Sequence, residues 1–329
     1  MSIQMNSERA VPRALVMMAT YNGAKYLREQ LDSIFSQRHI EVEVMISDDV
    51  STDETIEICK EYINRNYPLK YAVNRTNFGS NQNFMRMLYG VDANAYDLYA
   101  FSDQDDVWLP EKLGKAWAEI NSKELQLNRE GTQHKSHPIL YCSDLINVDE
   151  SLQNRRRELR GLNLHTFLRA TPVVRNYYSG CTMVMNGSMV RLLQQAPQTC
   201  FATYHDAWCH QVAFYCGHVI YDLESANILR RISGLNQLGE QLPGMDFKRA
   251  SLRNIFLKTP AHECQLAATR LLSGYSNFMD SEDREMLRSL AEYRNTAHGK
   301  IEWALSSKYG STSIMDTLLI RTKFLLGRL

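Results

Sequence analysis

The fold is decided by the segment ALVMMATYNG at residues 14–23, in which a short apolar run ends in polar turn residues. An apolar run of this length is typical of a strand that is buried on both faces. Leu27, Leu31 and Ile34 follow at helical spacing. Predicted strands recur downstream at Val42–Ser47, Leu69–Val73 and Leu98–Ser102. This alternation predicts an α/β fold with a mostly parallel sheet and helices on both faces.

Less regular patterns predict the remaining elements. Ser51 and Glu54 fit a capping box at the start of a helix, and Pro110 fits the first turn of another. The polar stretch Ser122–Pro138 is predicted to be a loop. Strand signals stop after Leu252, so we place a boundary near Gly244, between a first domain at 1–244 and a helical C-terminal region at 245–329. Further predicted elements are a helix around Phe84–Leu88, strands at Ile139–Val148 and Gly180–Met185, and a short helix at Met189–Leu193.

The composition argues against several classes of protein. The 329 residues carry 37 basic and 37 acidic side chains, so no overall positive charge attracts nucleic acid. The seven cysteines are scattered, which indicates reduced thiols in a cytoplasmic protein rather than a disulfide framework. Met1–Arg13 is polar, so we expect no signal peptide, and no run approaches the roughly 20 apolar residues of a membrane span. The glycine-rich phosphate loops GxGxxG and GxxxxGKS/T are absent.

Three polar clusters follow predicted strands. In an open α/β sheet, ligands bind at the carboxyl ends of the strands, so we predict a ligand site where these clusters meet. Asp48 and Asp49 taken alone would fit an ordinary turn. The clusters are Thr20-Tyr21-Asn22, Ser47-Asp48-Asp49 and Ser102-Asp103-Gln104-Asp105-Asp106.

The third cluster has the composition of a cation site. Asp103 and Asp105 are separated by one residue, and both can face a common point only if the backbone bends there. Three carboxylates this close repel one another unless a cation lies among them, and Mg²⁺ and Mn²⁺ prefer oxygen ligands. We therefore predict a metal site with Asp103 and Asp105 as ligands, completed by substrate phosphates. The alternative is a helix N-terminus, whose dipole favours acidic residues and would account for Asp106.

A series of motifs in a fixed order resembles the family 2 glycosyltransferases, and is most similar to the branch of bacterial surface-polysaccharide rhamnosyltransferases. The resemblance covers about residues 13–240. The order of the motifs makes it more specific than any one of them. They are Ala19–Gly23 (ATYNG), Ile46–Asp53 (ISDDVSTD), Asn74–Gly79 (NRTNFG), Phe101–Trp108 (FSDQDDVW), Ser179–Met183 (SGCTM), His205–Trp208 (HDAW) and Arg231–Gly239 (RISGLNQLG).

The resemblance implies a GT-A fold at residues 1–244 and an inverting displacement. Tyr21 matches the family's residue beside the nucleobase, and Asp48 matches the carboxylate that bonds the pyrimidine edge. Asp103 and Asp105 match the DXD element, whose Mg²⁺ or Mn²⁺ holds the diphosphate and neutralises the leaving group. Asp206 matches the general base. The other substrate-binding residues that we expect from the motifs are Thr20, Asn22, Asn77, Gly79, Gly180 and Cys181.

Two positions qualify the resemblance. Asp206 precedes an apolar helical stretch, so without the motif an N-terminal helix carboxylate would be the simpler interpretation. The last motif usually carries a histidine two residues after its arginine, whereas here Arg231 is followed by Ile232 and Ser233. Arg230 and Arg231 are candidates to bind the diphosphate instead, because guanidinium groups suit phosphate oxygens.

The resemblance also implies the substrates. The expected donor is the nucleoside-diphosphate sugar dTDP-L-rhamnose, with UDP-galactose and UDP-N-acetylglucosamine as alternatives. The expected acceptor is a polyprenyl-diphosphate-linked saccharide at the cytoplasmic face of the membrane, in O-antigen or capsule synthesis. Two other hypotheses are a sugar nucleotidyltransferase, whose glycine-rich basic loop is absent from ATYNGAKY, and a non-catalytic nucleotide-sugar-binding subunit.

Two further segments have more than one interpretation. The run Arg155, Arg156, Arg157 and Arg160 fits a solvated helix face, which we expect, or a site for the acceptor's diphosphate or for an anionic membrane surface. The segment Ile314–Leu329 mixes leucines with basic residues. It fits an interfacial membrane helix, a packing helix or an oligomer contact about equally.

Overall fold

The computed structural model describes residues 11–131, 137–159, 168–198, 201, 204–232, 263–309 and 314–329. Within these residues, nine strands form one sheet with helices on both sides. The strands are β1 (Arg13–Thr20), β2 (Glu41–Asp48), β3 (Leu69–Val73), β4 (Leu98–Ser102), β5 (Val107–Trp108), β6 (Ile139–Val148), β7 (Arg156–Arg157), β8 (Met183–Asn186) and β9 (His218–Arg231). The helices are α1 (Ala24–Phe35), α2 (Thr55–Asn64), α3 (Ser80–Gly90), α4 (Lys112–Arg129), α5 (Thr171–Val174), α6 (Gly187–Gln195), α7 (His205–Cys216), α8 (Glu263–Tyr275), α9 (Ser281–Glu292), α10 (Ala297–Leu305) and α11 (Ile314–Leu325).

The first four strands form the parallel part of the sheet that the sequence predicts. β3, β2, β1 and β4 lie side by side in parallel register. Residues 14–18 of β1 are at most 1 % exposed, because helices cover both faces of the strand. Thr20 pairs with Asp48, and Met18 pairs with Ser102. The residues that follow β1, β2 and β4 therefore meet at one edge of the sheet, as predicted.

The rest of the sheet is mixed. β8 runs antiparallel to both β4 and β6, and β5 runs antiparallel to β9, whereas β6 and β9 are parallel. The expectation of a mostly parallel sheet is therefore wrong beyond β4. We did not predict β9, because most of its residues are only half-buried and polar residues interrupt its apolar pattern at 222–225.

Two hydrophobic layers cover the two faces of the sheet. α1 and α4 pack on one face through residues such as Leu27 and Ile120. On the other face, α3, α7 and α8 pack through Phe84, Trp208 and Leu271. Burial of each such side chain stabilises the fold by about 2–3 kcal/mol. The prediction of helices on both faces is confirmed.

The capping box predicted at Ser51 is wrong. α2 begins at Thr55, and the residue before it, Glu54, makes no side-chain cap hydrogen bond. The Ser51 hydroxyl instead donates to Asp48. Ser51 therefore bonds the end of β2 instead of capping α2.

Three other boundaries also differ from prediction. The first part of the predicted loop Ser122–Pro138 is helical, because α4 continues to Arg129 with Leu127 on its buried face. Pro110 lies just before α4 rather than in its first turn. The predicted strand Gly180–Met185 begins only at Met183, after a 3₁₀ turn.

Four helices, α8–α11, occupy the described part of the C-terminal region. The rings of Trp208 and Tyr275 lie 6.0 Å apart, and the Tyr275 hydroxyl donates to the Leu193 carbonyl at 2.7 Å. These helices thus extend the core that α6 and α7 begin. The boundary near Gly244 lies outside the described residues and stays a prediction. In the part of the chain that the structure describes, no helix has the length and apolar character needed to cross a membrane.

Candidate active site

Asp48 joins the ends of the first two strands. Its side chain is fully buried and accepts three hydrogen bonds, from Thr20 Oγ1 at 2.8 Å, the Ser51 backbone nitrogen at 2.8 Å and Ser51 Oγ at 2.5 Å. Hydrogen bonds to a charged acceptor are about twice as strong as neutral ones. The predicted pair Thr20 and Asp48 therefore lies together, with both side chains bonded to each other.

Tyr21 lies in an exposed loop that Gln104 fixes in place. The Tyr21 residue is 51 % exposed, while its backbone nitrogen and carbonyl bond the Gln104 amide at 2.9 and 3.1 Å. Asn22 has a positive φ of 48°, and its Oδ1 accepts from the Thr52 backbone nitrogen at 2.8 Å. The loop therefore presents the Tyr21 ring to solvent from a backbone that is held on both sides.

Asp49 differs from Asp48 in the use of its oxygens. Its Oδ1 accepts from Asn74 Nδ2 at 2.7 Å, and its Oδ2 has no hydrogen bond to any residue that the structure describes. In the adjoining loop, Asn77 Oδ1 accepts from the Gly79 nitrogen at 2.9 Å, and Gly79 has a φ of 77° that favours glycine. The predicted residues Asn77 and Gly79 thus shape the loop beside Asp49.

The buried polar face of α1 bends the chain after β4. Gln30 Nε2 donates to Ser102 Oγ at 2.7 Å, and Ser33 Oγ accepts from the Trp108 backbone nitrogen at 3.0 Å. The chain between these two anchors turns back, so that β5 pairs with β9 instead of extending β4. The bend that a shared cation site requires is therefore present.

The bend brings Asp103 and Asp106 together around a buried thiol. Ligand atoms of Asp103, Asp106 and Cys181 all lie within 4.8 Å of one another. Burial, with Asp105 and Asp206 nearby, raises the pKa of Asp103 to about 7. Burial and the charge of Asp103 raise the pKa of Asp106 well above its usual value, and Asp106 Oδ2 has no hydrogen-bond partner among the described residues. A cation between these carboxylates would offset both penalties.

The oxygen atoms of this acidic cluster suit a hard cation, but the thiol does not. Burial raises the pKa of Cys181, so its sulfur stays protonated, and Mg²⁺ and Mn²⁺ prefer oxygen. The structure groups Asp103 with Asp106, whereas the sequence pairs it with Asp105. Asp105 stands beside the cluster, since its charge raises the pKa of both neighbours. The assignment of Asp103 and Asp105 as metal ligands stays a prediction.

Lys112 lies buried behind the acidic cluster. Its Nζ is 3.8 Å from the centre of the Trp108 ring and has no hydrogen-bond partner among the described residues. Burial lowers the pKa of Lys112 to about 7, although Cys181 and Asp106 oppose that shift. The cation–π contact with Trp108 therefore takes the place of the hydration that the Lys112 amine has lost on burial.

Arg230 connects the acidic cluster to the neighbouring strands. Its Nε donates to Asn147 Oδ1 at 2.9 Å, its Nη1 donates to Ser179 Oγ at 3.0 Å, and its Nη2 lies 2.5 Å from Glu158 Oε2. Its charge lowers the pKa of Asp103, which places it within electrostatic reach of the cluster. Arg230 therefore already has protein partners and could add a phosphate only by sharing its donors.

Arg231 is more deeply placed. It is 2 % exposed, forms an ion pair with Glu29, and its Nη1 donates to the Asp105 carbonyl at 2.6 Å. Its guanidinium also lies 4.5 Å from the centre of the Tyr26 ring. These contacts make Arg231 a support for the acidic turn. The departure at Ser233 lies outside the described residues.

Asp206 lies in the first turn of α7, close to the acidic cluster. It is half-buried in the first turn of the helix, and its charge helps to raise the pKa of Asp103. The neighbouring His205 Nδ1 lies 2.9 Å from Asn81 Oδ1, and a Cβ atom at Gly180 would come within 2.3 Å of His205 Nε2. Gly180 is therefore required by the close approach of His205, which fixes the start of α7.

The structure adds residues that the sequence analysis missed. Gln104, the middle residue of the proposed DXD element, links the acidic turn to the Tyr21 loop. Asp106 completes the carboxylate group; its position in the acidic run was a signal, for which a helix terminus was the alternative interpretation. Lys112 carried no signal, because charged residues are seldom fully buried and a lysine at a helix start reads as exposed.

The chain is similar in sequence to a known family of enzymes. The family model described as glycosyl transferase family 2 matches residues 15–185. The dTDP-rhamnosyl transferase RfbG from Shigella flexneri is 43 % identical over 103 residues, which are 30 % of this chain and 35 % of that protein. The abequosyltransferase RfbV from Salmonella typhimurium is 41 % identical over 69 residues, which are 20 % of this chain and 21 % of that protein. The matched segments thus span about a third or less of these relatives.

A solved structure extends the likeness over most of the chain. The crystal structure of S. aureus TarS residues 1–349 has a TM-score of 0.55 and 16 % sequence identity, and covers 95 % of this chain and 81 % of that one. The same protein in complex with UDP-GlcNAc gives a TM-score of 0.52 at 17 % identity, with coverage of 96 % and 92 %. At this identity the likeness concerns the fold, which is GT-A, as predicted.

Proposed function

Because the chain belongs to glycosyl transferase family 2, we propose that it is a metal-dependent, inverting glycosyltransferase that uses dTDP-L-rhamnose as donor. The acceptor is a hydroxyl of a polyprenyl-diphosphate-linked saccharide, in the synthesis of a bacterial surface polysaccharide. One observation carries the proposal. At the edge of the sheet, Asp103 lies beside Asp106, whose Oδ2 has no hydrogen-bond partner among the described residues, and the charge of Asp206 acts on Asp103.

The donor lies across the carboxyl ends of β1, β2 and β4. The nucleobase stacks on the exposed Tyr21 ring and meets the carboxylates after β2. Asp48 has its oxygens bonded within the protein, so its role there is to hold the loop, and Asp49 supplies the oxygen that is open for a nucleobase N–H. Support for a deoxythymidine nucleotide comes from the dTDP-rhamnosyl transferase relative.

The diphosphate lies at the acidic cluster. Asp103, with Asp105 and Asp106, would hold Mg²⁺ or Mn²⁺, and a bound metal supplies Lewis-acid stabilisation of the leaving diphosphate. Arg230 contributes a further positive charge on the side of β9. Asp206 accepts the proton of the acceptor hydroxyl as the oxygen bonds the anomeric carbon from the face opposite the diphosphate. The nucleoside diphosphate departs, and the configuration at that carbon inverts.

The acceptor's lipid places the enzyme at a membrane. We propose a peripheral contact of this cytoplasmic protein with the inner face of the cytoplasmic membrane through α11. Leu318, Leu325 and Leu326 are 52–53 % exposed, whereas Ile320 and Phe324 of the same segment are buried. One side of α11 therefore packs on the core while the other offers apolar side chains to an interface.

Donor binding tests the proposal. Calorimetry would compare dTDP-rhamnose, UDP-galactose, UDP-N-acetylglucosamine and GDP-mannose, each with Mn²⁺ and with chelator. We expect dTDP-rhamnose to bind in a metal-dependent way to the wild type and not to the Asp103→Ala/Asp105→Ala variant. The matched control is Glu285→Ala/Glu292→Ala, which removes two exposed carboxylates from α9. Binding of no nucleotide sugar, or binding that is indifferent to metal and to both aspartates, would contradict the proposal.

Catalysis is tested separately from binding. Asp206→Asn should reduce sugar transfer by about 10²–10⁴-fold while donor affinity stays unchanged, because it removes only the proton acceptor. Slow hydrolysis of the donor by the wild type distinguishes an enzyme from a nucleotide-sugar-binding subunit, which would show none.

A further inference from the structure

A cavity of about 350 Å³ opens beside β7, and arginines line it. Its walls are Ile146, Arg155, Arg156, Arg157 and Glu158. The expectation of a solvated helix face is wrong here, because Arg156 and Arg157 form a strand that pairs with Ile146 and Asn147 of β6. A strand directs alternate side chains to opposite faces, so Arg156 and Arg157 point to opposite sides of β7.

The charges of the cavity do not balance. Arg157 Nε lies 2.8 Å from Asp144 Oδ2, and Glu158 pairs with Arg230. Arg155 and Arg156 are exposed, and neither side chain has an ion pair or hydrogen bond with a residue that the structure describes. Two positive charges at this cavity therefore have no counterion among the residues that the structure describes.

The cavity is connected to the acidic cluster by a single row of residues. Arg156 pairs across the sheet with Asn147, and Asn147 pairs with Arg230 of β9. The side chains of this row share a face, because Arg230 Nε donates to Asn147 Oδ1 at 2.9 Å and Asn147 Nδ2 donates to Glu158 Oε2 at 3.2 Å. Arg156 thus lies on the same face as Arg230, on the side away from the acidic cluster.

The loop before Arg155 is held in one shape. Asp149 accepts hydrogen bonds from the Ser151 nitrogen and hydroxyl at 3.0 and 2.8 Å, from the Gln153 nitrogen at 2.9 Å and from Asn154 Nδ2 at 2.6 Å. A loop held in this way lowers the entropy cost of positioning Arg155 against a ligand.

We propose that this cavity binds the diphosphate diester of the acceptor, with Arg155 and Arg156 as its two cationic contacts. The proposal rests on the proposed function, because it assigns the donor's own diphosphate to the acidic cluster on the other side of Arg230. A diphosphate diester carries two negative charges, which match the two guanidinium groups that lack partners among the described residues, and guanidinium is well shaped for phosphate oxygens. The acceptor saccharide then extends along the row from Arg156 towards Arg230 and the base, Asp206.

The experiment measures binding rather than transfer. The probe is a diphosphate diester with farnesyl on one phosphate and glucosyl on the other, used below its micelle concentration. Its neutral counterpart is farnesyl glucoside. Calorimetry compares the wild type with two double variants, Arg155→Gln/Arg156→Gln and the charge-retaining Arg155→Lys/Arg156→Lys. The matched control is Arg129→Gln/Arg288→Gln, which removes two exposed arginines elsewhere.

We expect the diester to bind the wild type and the control equally, and the Gln variant about 10- to 100-fold more weakly. The Lys variant should recover part of the loss, farnesyl glucoside should bind all four proteins weakly, and dTDP binding with Mn²⁺ should not change. Because Arg155 and Arg156 are exposed, the Gln variant should keep the melting temperature of the wild type.

Three results would overturn the proposal. Equal diester binding by the wild type and the Gln variant would show that the cavity is not the site. A parallel loss of dTDP affinity would assign the arginines to the donor. Loss of binding to phosphatidylglycerol vesicles with unchanged diester binding would make them a membrane contact. If instead diester binding depends on the arginines but the wild type transfers sugar from none of the four donors, the proposed function alone fails.

Discussion

Two groups of carboxylates at the same edge of the sheet use their oxygens in opposite ways. In the first, Asp48 is fully buried and accepts hydrogen bonds from Thr20 and twice from Ser51. In the second, Asp106 is equally buried, yet one of its oxygens has no partner among the described residues, and burial raises its pKa. The first group holds two loops together, whereas the second keeps capacity for a ligand.

This difference has an energetic side. A carboxylate with its hydrogen bonds made adds to stability, whereas one buried beside other carboxylates subtracts from it. The acidic cluster therefore lowers the stability of the folded state, and the proposed function would account for that cost. Substitutions in the two groups should separate these effects.

The largest effect is expected at Asp103. Asp103→Asn should lower the rate of sugar transfer by about 10³-fold, because a neutral amide holds the cation and the leaving diphosphate poorly. The same variant should melt at a slightly higher temperature than the metal-free wild type, since it removes one of the repelling charges. Initial-rate assays with saturating Mn²⁺ and a thermal melt in chelator measure the two. A melting temperature that falls by several degrees would mean that Asp103 supports the fold.

Asp48 should give the converse result. Asp48→Asn places an amide N–H₂ against the donors of Thr20 and Ser51, and should lower the free energy of unfolding by about 2–4 kcal/mol. Urea unfolding measures the loss. The control Asp92→Asn changes an exposed aspartate whose side chain, among the described residues, accepts hydrogen bonds only from Asn94, and should stay within about 0.5 kcal/mol of the wild type. Equal stability of the two variants would remove the distinction between the carboxylate groups.

The pH dependence of metal binding follows from the pKa of Asp103, which burial and Asp105 raise to about 7. A ligand carboxylate must lose its proton, so Mn²⁺ affinity should fall up to about tenfold per pH unit below 7. The stability of the metal-free protein should show the opposite trend with pH. Between about pH 4 and 7 the folded state retains a proton that the unfolded state has lost, so its stability decreases as pH rises.

Calorimetry of Mn²⁺ binding and chemical unfolding in chelator, both from pH 5.5 to 8, check the two slopes. Asp103→Asn should flatten the stability profile in that window. A metal affinity that is independent of pH would place the ligands elsewhere.

The smallest effect is expected behind the acidic cluster. Lys112→Met replaces a buried amine, which has no hydrogen-bond partner among the described residues, by an apolar chain of similar length. The free energy of unfolding should change by less than about 1 kcal/mol, or should increase. Urea unfolding at pH 8 measures it. A loss of more than about 2 kcal/mol would indicate that Lys112 is an ion-pair partner of the cluster.

The parallel part of the sheet was predictable from the sequence, because there the apolar residues of the pattern are the buried residues of the structure. The β1 and β4 segments are continuous apolar runs, because both faces are covered, and such runs are legible without a structure. β9 escaped prediction because its half-buried residues carry no clear period. We predicted too early an end for α4, because its last turns expose polar residues to solvent and bury only Leu127.

The candidate site was predictable by position but not by geometry. Strand ends located Thr20, Asp48 and Asp103 at one edge, since parallel strands finish together. The choice between Asp105 and Asp106 depended on how Gln30 and Ser33 of α1 bend the chain, which is a contact over about 70 residues. Such pairings have no local signature, so sequence spacing alone did not predict that Asp106 lies in the cluster with Asp103.

The Gln104 amide has a consequence for how ligands are taken up. It bonds both the nitrogen and the carbonyl of the Tyr21 backbone, and so links the Tyr21 loop to the acidic turn. A ligand that orders either part reduces the entropy that the other must lose. Cooperativity of this kind is reciprocal. If the metal raises the affinity for the nucleotide by some factor, the nucleotide raises the affinity for the metal by the same factor. On the proposed function, loss of the metal would therefore weaken nucleotide binding, and loss of the nucleotide would weaken metal binding by the same factor.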